Sequence, residues 1–170
     1  MRKLLTLAVP VVAVGAAHAG TLELSVEIPK LNVSEYHRPY IAIWIEDASG
    51  KVAANLSIWY DIKLKDEEGE KWLKDIRQWW RRTGRGLDLP LDGVSSPTKP
   101  PGKNAIKFDT AAGPIAKLAP GDYKIIVEAT REVGGKELVE IPFKWAPGTD
   151  ATGSASGKEE LGAISFKLTK

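Results

Sequence analysis

Short apolar runs, each cut off by a proline, a glycine or a polar turn, leave this chain little choice of architecture. Thr21 to Ile28 places Leu22, Leu24, Val26 and Ile28 at alternate positions and stops at Pro29. Side chains alternate faces along a strand, so this run predicts a strand with one buried face. Tyr40 to Glu46 and Val52 to Tyr60 flank Asp47-Ala48-Ser49-Gly50, a turn in composition, and predict a hairpin. Asn104 to Asp109, Tyr123 to Thr130, Lys136 to Trp145 and Leu161 to Leu168 predict four more strands. Val133-Gly134-Gly135 predicts a tight turn, and Ala146 to Gly157, rich in Gly, Ser, Thr and Pro, reads as a loop. Two packed antiparallel sheets satisfy this pattern. The expected fold is all-β: an immunoglobulin-like antiparallel β-sandwich of about seven strands with one inserted amphipathic helix.

The helix is expected over Glu70 to Arg82. Trp72, Ile76, Trp79 and Trp80 fall at i, i+4, i+7 and i+8, which predicts a single apolar stripe. Lys74, Arg77 and Arg81 lie off that stripe. Arg81, Arg82 and Arg85 crowd the C-terminal end, and Gly84 and Gly86 end the helix.

Residues 1–19 read as a secretory signal. Met1-Arg2-Lys3 is positive, Leu4 to Ala17 is almost wholly apolar, and Ala17-His18-Ala19 is an A-x-A cleavage site. The expectation is cleavage after Ala19, a single β-sandwich domain over 20–170, and a periplasmic location. The apolar run is too short to span a bilayer and no later segment is apolar enough, so the chain is not expected to cross a membrane. Removing Arg2 and Lys3 lowers Lys plus Arg from 24 to 22, against 22 Asp plus Glu. A formally neutral chain speaks against nucleic acid as a partner. There is no cysteine and Met1 is the only methionine, so disulfides and thiolate metal sites drop out. His37 is the only histidine past the signal, and no metal site is expected.

Several segments in order resemble a known family. They are Arg38 to Asp47 followed by Gly50-Lys51, Leu56 to Tyr60, Lys71-Trp72-Leu73 to Trp79-Trp80, Asp92 to Gly102, Gly121-Asp122-Tyr123 and Val127 to Glu132. Together they resemble the predicted periplasmic proteins of domain of unknown function 2271, over essentially the whole chain after the signal. The resemblance brings no established enzymatic activity with it. It implies a setting beside PepSY-type membrane proteins and flavin transferases, in extracytoplasmic electron transfer or metal uptake.

One loop carries a specific chemistry. Asp92-Gly93-Val94-Ser95-Ser96-Pro97-Thr98 resembles the acceptor motif of periplasmic flavin transferases: Asp, two residues, Ser or Thr, Gly, Ala, Thr. In that motif the last Thr accepts FMN from FAD through a phosphodiester bond, by a Mg²⁺-dependent transferase. Asp92, Ser95 and Thr98 match. Ser96 replaces Gly and Pro97 replaces Ala, which removes backbone freedom and one N–H donor. The resemblance implies Thr98 as acceptor. Lys99, Arg81 and Arg82 are near in sequence and suit a phosphate, Arg because its planar fork binds two oxygens. Trp80 offers a ring for the isoalloxazine. Two function classes follow. One is a covalent FMN carrier in electron transfer, not itself an enzyme. The alternative is a cofactor-free periplasmic accessory module that docks a membrane partner through the Trp/Arg helix and the Pro-rich loop. A hydrolase built on Ser95 and His37 lacks any nucleophile-elbow sequence.

Overall fold

A computed structural model describes residues 20–170; the signal expected over residues 1–19 lies outside them. Two sheets hold nine strands. The four-stranded sheet runs β5 (Gly102–Asp109), β1 (Thr21–Ile28), β9 (Ala163–Thr169), β8 (Ala151–Ser156). The five-stranded sheet runs β4 (Ser95–Pro97), β3 (Val52–Tyr60), β2 (Tyr40–Asp47), β6 (Gly121–Thr130), β7 (Lys136–Trp145). Their facing sides share one core, with Leu22, Leu24 and Val26 of β1 packed among Ile41, Ile43 and Ile45 of β2 and Val127 of β6. The all-β sandwich is present, with nine strands in place of about seven. Within it β1 pairs antiparallel with β9, so the first and last strands lie side by side.

The two extra strands escape a reading of periodicity for different reasons. β8 lies inside the stretch expected to be a loop, but Ala151 to Ser156 pairs with β9 along its length. Its inward residues are small because the space above them is taken: a Cβ on Gly153 would stand 2.4 Å from Phe166 Cε1. β4 is three residues long and runs parallel to β3, with Trp59 opposite Ser96. Parallel neighbours need a long crossover, and the helical insertion is that crossover.

Burial explains the strand compositions. β1 alternates because one face alone is covered. β2 is buried without a break from Ile41 to Glu46 because the insertion covers its second face. A second core results, in which Ala42, Trp44, Ile58, Tyr60 and Ile126 of the sheet meet Leu73, Ile76 and Trp79.

The insertion is not the single helix expected over Glu70 to Arg82. It is broken into α1 (Glu68–Lys71), a 3₁₀ turn (Leu73–Asp75) and α2 (Arg77–Arg82). Ile76, with φ −77° and ψ 77°, is not helical and interrupts the run. The stripe therefore re-phases. Leu73, Ile76 and Trp79 are buried, Trp80 is half-buried, and Trp72 stands 51 % exposed. α2 has no side-chain cap of its own. Instead the Glu128 carboxylate of β6 accepts the Gln78 N–H at 3.0 Å from each oxygen and the Trp79 N–H at 2.9 Å. At the other end Gly69 admits the chain against Asp61; a Cβ there would stand 2.2 Å from the Asp61 carbonyl oxygen.

The β8–β9 connection is held by one carboxylate. Glu137 accepts the backbone N–H groups of Lys158, Glu159, Glu160 and Leu161. Burial pushes its pKa up, but the four N–H donors together outweigh burial and hold it below the ordinary 4.5. A depressed folded pKa means stability present above the unfolded value and lost as pH falls through the folded one. Glu137→Gln is therefore expected to be destabilising at pH 7, with the gap to the parent protein closing as pH falls from 4.5 through the depressed pKa. Urea midpoints of both proteins between pH 7 and pH 3 check this, and a gap unchanged with pH would count against it.

Candidate functional site

One end of the five-stranded sheet gathers side chains that are far apart in sequence. β2 begins there at Tyr40, β3 ends at Tyr60, β4 ends at Pro97 and β6 ends at Thr130. The register makes these ends neighbours: Tyr40 lies opposite Thr130, and Tyr60 opposite Pro97. The segment before β2, the start of the insertion and the β6–β7 turn close over this end. They leave a cavity of about 590 Å³, lined among others by Tyr36, Arg38, Tyr40, Asp61, Trp72 and Thr98.

Each wall group has a physical reason for its state. Thr98 follows β4 directly, and its hydroxyl donates to Asp61 Oδ1 at 3.3 Å. Burial, together with the neighbouring Asp61 carboxylate, pushes the Tyr40 phenol up to about 12, so it stays protonated. The Tyr40 ring meets Tyr60 edge-on at 6.3 Å. The Trp72 ring carries the Lys74 ammonium 5.7 Å from its centroid. His37 sits between two acids, with Nε2 2.9 Å from Glu35 and Nδ1 3.4 Å from Glu132. Both ring nitrogens face carboxylates, so neither is turned to Ser95.

Beneath the cavity lies a buried ion pair. Arg131 donates from Nε and Nη2 to Glu160 at 2.8 and 3.0 Å, and the Gly135 N–H reaches the same carboxylate at 2.7 Å. Two polar atoms of the wall, Arg131 Nη1 and Tyr36 Oη, are buried with no hydrogen-bond partner among the described residues. The Arg131 guanidinium stands 6.0 Å from the Tyr36 ring centroid. Burial raises the Tyr36 phenol above its ordinary value, against the pull of Arg131.

Of the site residues expected from sequence, the fold keeps Thr98 in this cavity and sends most of the others elsewhere. Asp92 is exposed in the turn before β4. Ser95 lies in β4, where its Oγ accepts the Leu91 N–H at 3.0 Å. Lys99 places its ammonium 5.7 Å from the Trp59 ring centroid. Arg81 turns back to the Arg77 carbonyl and the Gln78 side chain. Arg82 pairs with the buried Glu46 at 2.9 Å and donates to the Gly50 carbonyl. It lines a different cleft, with Arg77 and Trp44. Trp80 packs into the second core beside Trp79. The aromatic and cationic side chains that share the cavity with Thr98 thus include Trp72, Tyr40 and Arg38, where sequence proximity pointed to Trp80, Arg81 and Arg82. Tyr36-His37-Arg38-Pro39, a knot of rings and cations in a connection, was the available signal.

Among the described residues no helix is long and apolar enough to cross a membrane, and no group of three or more acidic, histidine or cysteine side chains is placed to hold a metal ion. Residues 21–163 match a family described as "Predicted periplasmic protein (DUF2271)". No curated protein and no solved structure matches the chain.

Proposed function

Because the chain belongs to this family of predicted periplasmic proteins, with nearly all of its described residues inside the match, we propose that it works outside the cytoplasm as a carrier of FMN attached to Thr98. The observation that carries this reading is the place of Thr98: its hydroxyl stands in the wall of a cavity that also holds aromatic rings and cations, beside the carboxylates Asp61, Asp75 and Glu132. About 590 Å³ falls within the roughly 300–1,000 Å³ usual for small-molecule sites. Trp72 and Tyr40 would offer rings to the isoalloxazine, and Arg38 a fork to the phosphate. In the attachment step Thr98 Oγ attacks the FMN phosphorus of FAD. The pyrophosphate bond breaks, AMP leaves, and the hydroxyl proton passes to a base of the transferase. FMN supplies electron transfer when bound, and a PepSY-type membrane protein is the proposed redox partner.

The test is the intact mass of protein exported together with an active flavin transferase. The expected result is an added FMN less one water, mapped to the peptide holding Thr98 and absent in Thr98→Ala. An unmodified chain beside a modified control substrate would overturn the reading. A cofactor-free docking module would then lead, favoured by the exposed Leu64, Trp72 and Val133 around the same cavity.

A further inference from the structure

We infer that this cavity is a non-covalent seat for a planar aromatic anion, clamped at its rim by Leu64, Trp72 and Val133. The inference deepens the flavin reading and rests on it for the choice of probe. Five large apolar side chains are exposed among the described residues, and these three border the one cavity. They come from three separate places: the connection after β3, the insertion and the β6–β7 turn. Scattered apolar residues on a surface need no explanation, but three converging on a cavity mark a binding site.

Val133 makes the case sharper. It is 72 % exposed and its φ is 51°. A β-branched residue in the left-handed region is a true outlier, since its Cβ crowds the backbone that glycine or asparagine tolerates there. Gly134 and Gly135 follow it directly, so glycine is at hand in this turn. Valine at this position disfavours the fold through both strain and exposure. A strained residue at a cavity rim points to function. Its isopropyl group supplies an apolar lip to the cavity.

Charge selects the ligand. Every acid of the wall already faces a donor: Asp61 faces Thr98, Glu132 faces His37, and Asp75 lies 3.9 Å from Lys136. Arg38 makes no ion pair among the described residues. An unpaired guanidinium beside the Tyr40 and Trp72 rings suits an aromatic anion.

The experiment titrates free FMN, and riboflavin in parallel, into unmodified protein made without a transferase, reading flavin fluorescence. The expected result is saturable quenching at one equivalent. Trp72→Ala should weaken binding by roughly tenfold or more, the size of one lost stacking contact. Arg38→Gln should weaken FMN and leave riboflavin unchanged. Val133→Asn should raise the melting midpoint while weakening both ligands, a pairing that a purely structural role does not produce. No saturable quenching in the parent protein, or FMN affinities in Trp72→Ala and Arg38→Gln equal to that of the parent, would overturn the seat. The two readings separate cleanly. Saturable binding with no adduct on Thr98 keeps the seat and removes the attachment. An adduct whose fluorescence Trp72→Ala does not change keeps the attachment and removes the seat.

Discussion

Arg131→Met is expected to destabilise the protein by about 3–5 kcal/mol, the usual range for stripping one partner from a buried ion pair. The Arg131 side chain is 6 % exposed and that of Glu160 is 4 %. Both charges have left water, and each depends on the other. With the guanidinium gone, the Glu160 carboxylate keeps only the Gly135 N–H. The double variant Arg131→Met with Glu160→Leu should recover most of the loss, because replacing both charges by apolar groups removes two desolvation penalties. What remains is the orphaned Gly135 N–H, worth about 1 kcal/mol. Urea unfolding followed by tryptophan fluorescence, with the slope checked for constancy, gives the double-mutant cycle. A double variant no more stable than Arg131→Met would sink this account. The same pair anchors the turn that carries Val133, so the single variant should also blur the rim of the cavity.

Glu128→Gln is expected to cost about 2–3 kcal/mol, as charge-assisted hydrogen bonds in a buried setting do. The residue is 5 % exposed on the outer face of the five-stranded sheet. Its two oxygens are the cap that α2 does not carry in its own sequence. Glutamine keeps one acceptor and turns an NH₂ group toward N–H donors, so repulsion replaces a bond. The loss should be local before it is global. Amide exchange should speed up at Gln78 and Trp79 ahead of the β2 and β6 core, as in a sub-global opening of the insertion. A change in stability under about 0.5 kcal/mol, the range of ordinary surface substitutions, would show that the cap is incidental.

These two expectations concern contacts that no stretch of sequence displays. Glu128 and Gln78 are 50 residues apart, and Arg131 and Glu160 are 29 apart. The strands, by contrast, announce themselves. β1, β7 and β9 bury alternate residues because a single face meets the core, and alternation is a local pattern that the eye can follow. β2 reads as a continuous apolar run because both of its faces are covered. β8 fails the same reading because its inward positions must be small under Phe166 and Ile141, so the apolar signal is missing although the strand is there.

The insertion shows where periodicity misleads. Four large apolar residues at helical spacing fit one face of an ideal helix. The non-helical Ile76 shifts the phase, so that Leu73 goes in and Trp72 comes out. No residue in that stretch is a strong breaker; packing on the sheet and the cap from Glu128 set the break.

By itself the sequence determined the layer architecture and the family, because strand alternation, turn residues and motif matches are all local in the chain; its motif also drew attention to Thr98. The tertiary structure alone decided what surrounds Thr98. Arg38, Tyr40, Asp61 and Trp72 meet there because strand register brings four strand ends to one end of a sheet. Register is set by long-range backbone pairing and by which faces can be buried, so closeness along the chain says little about closeness in the fold.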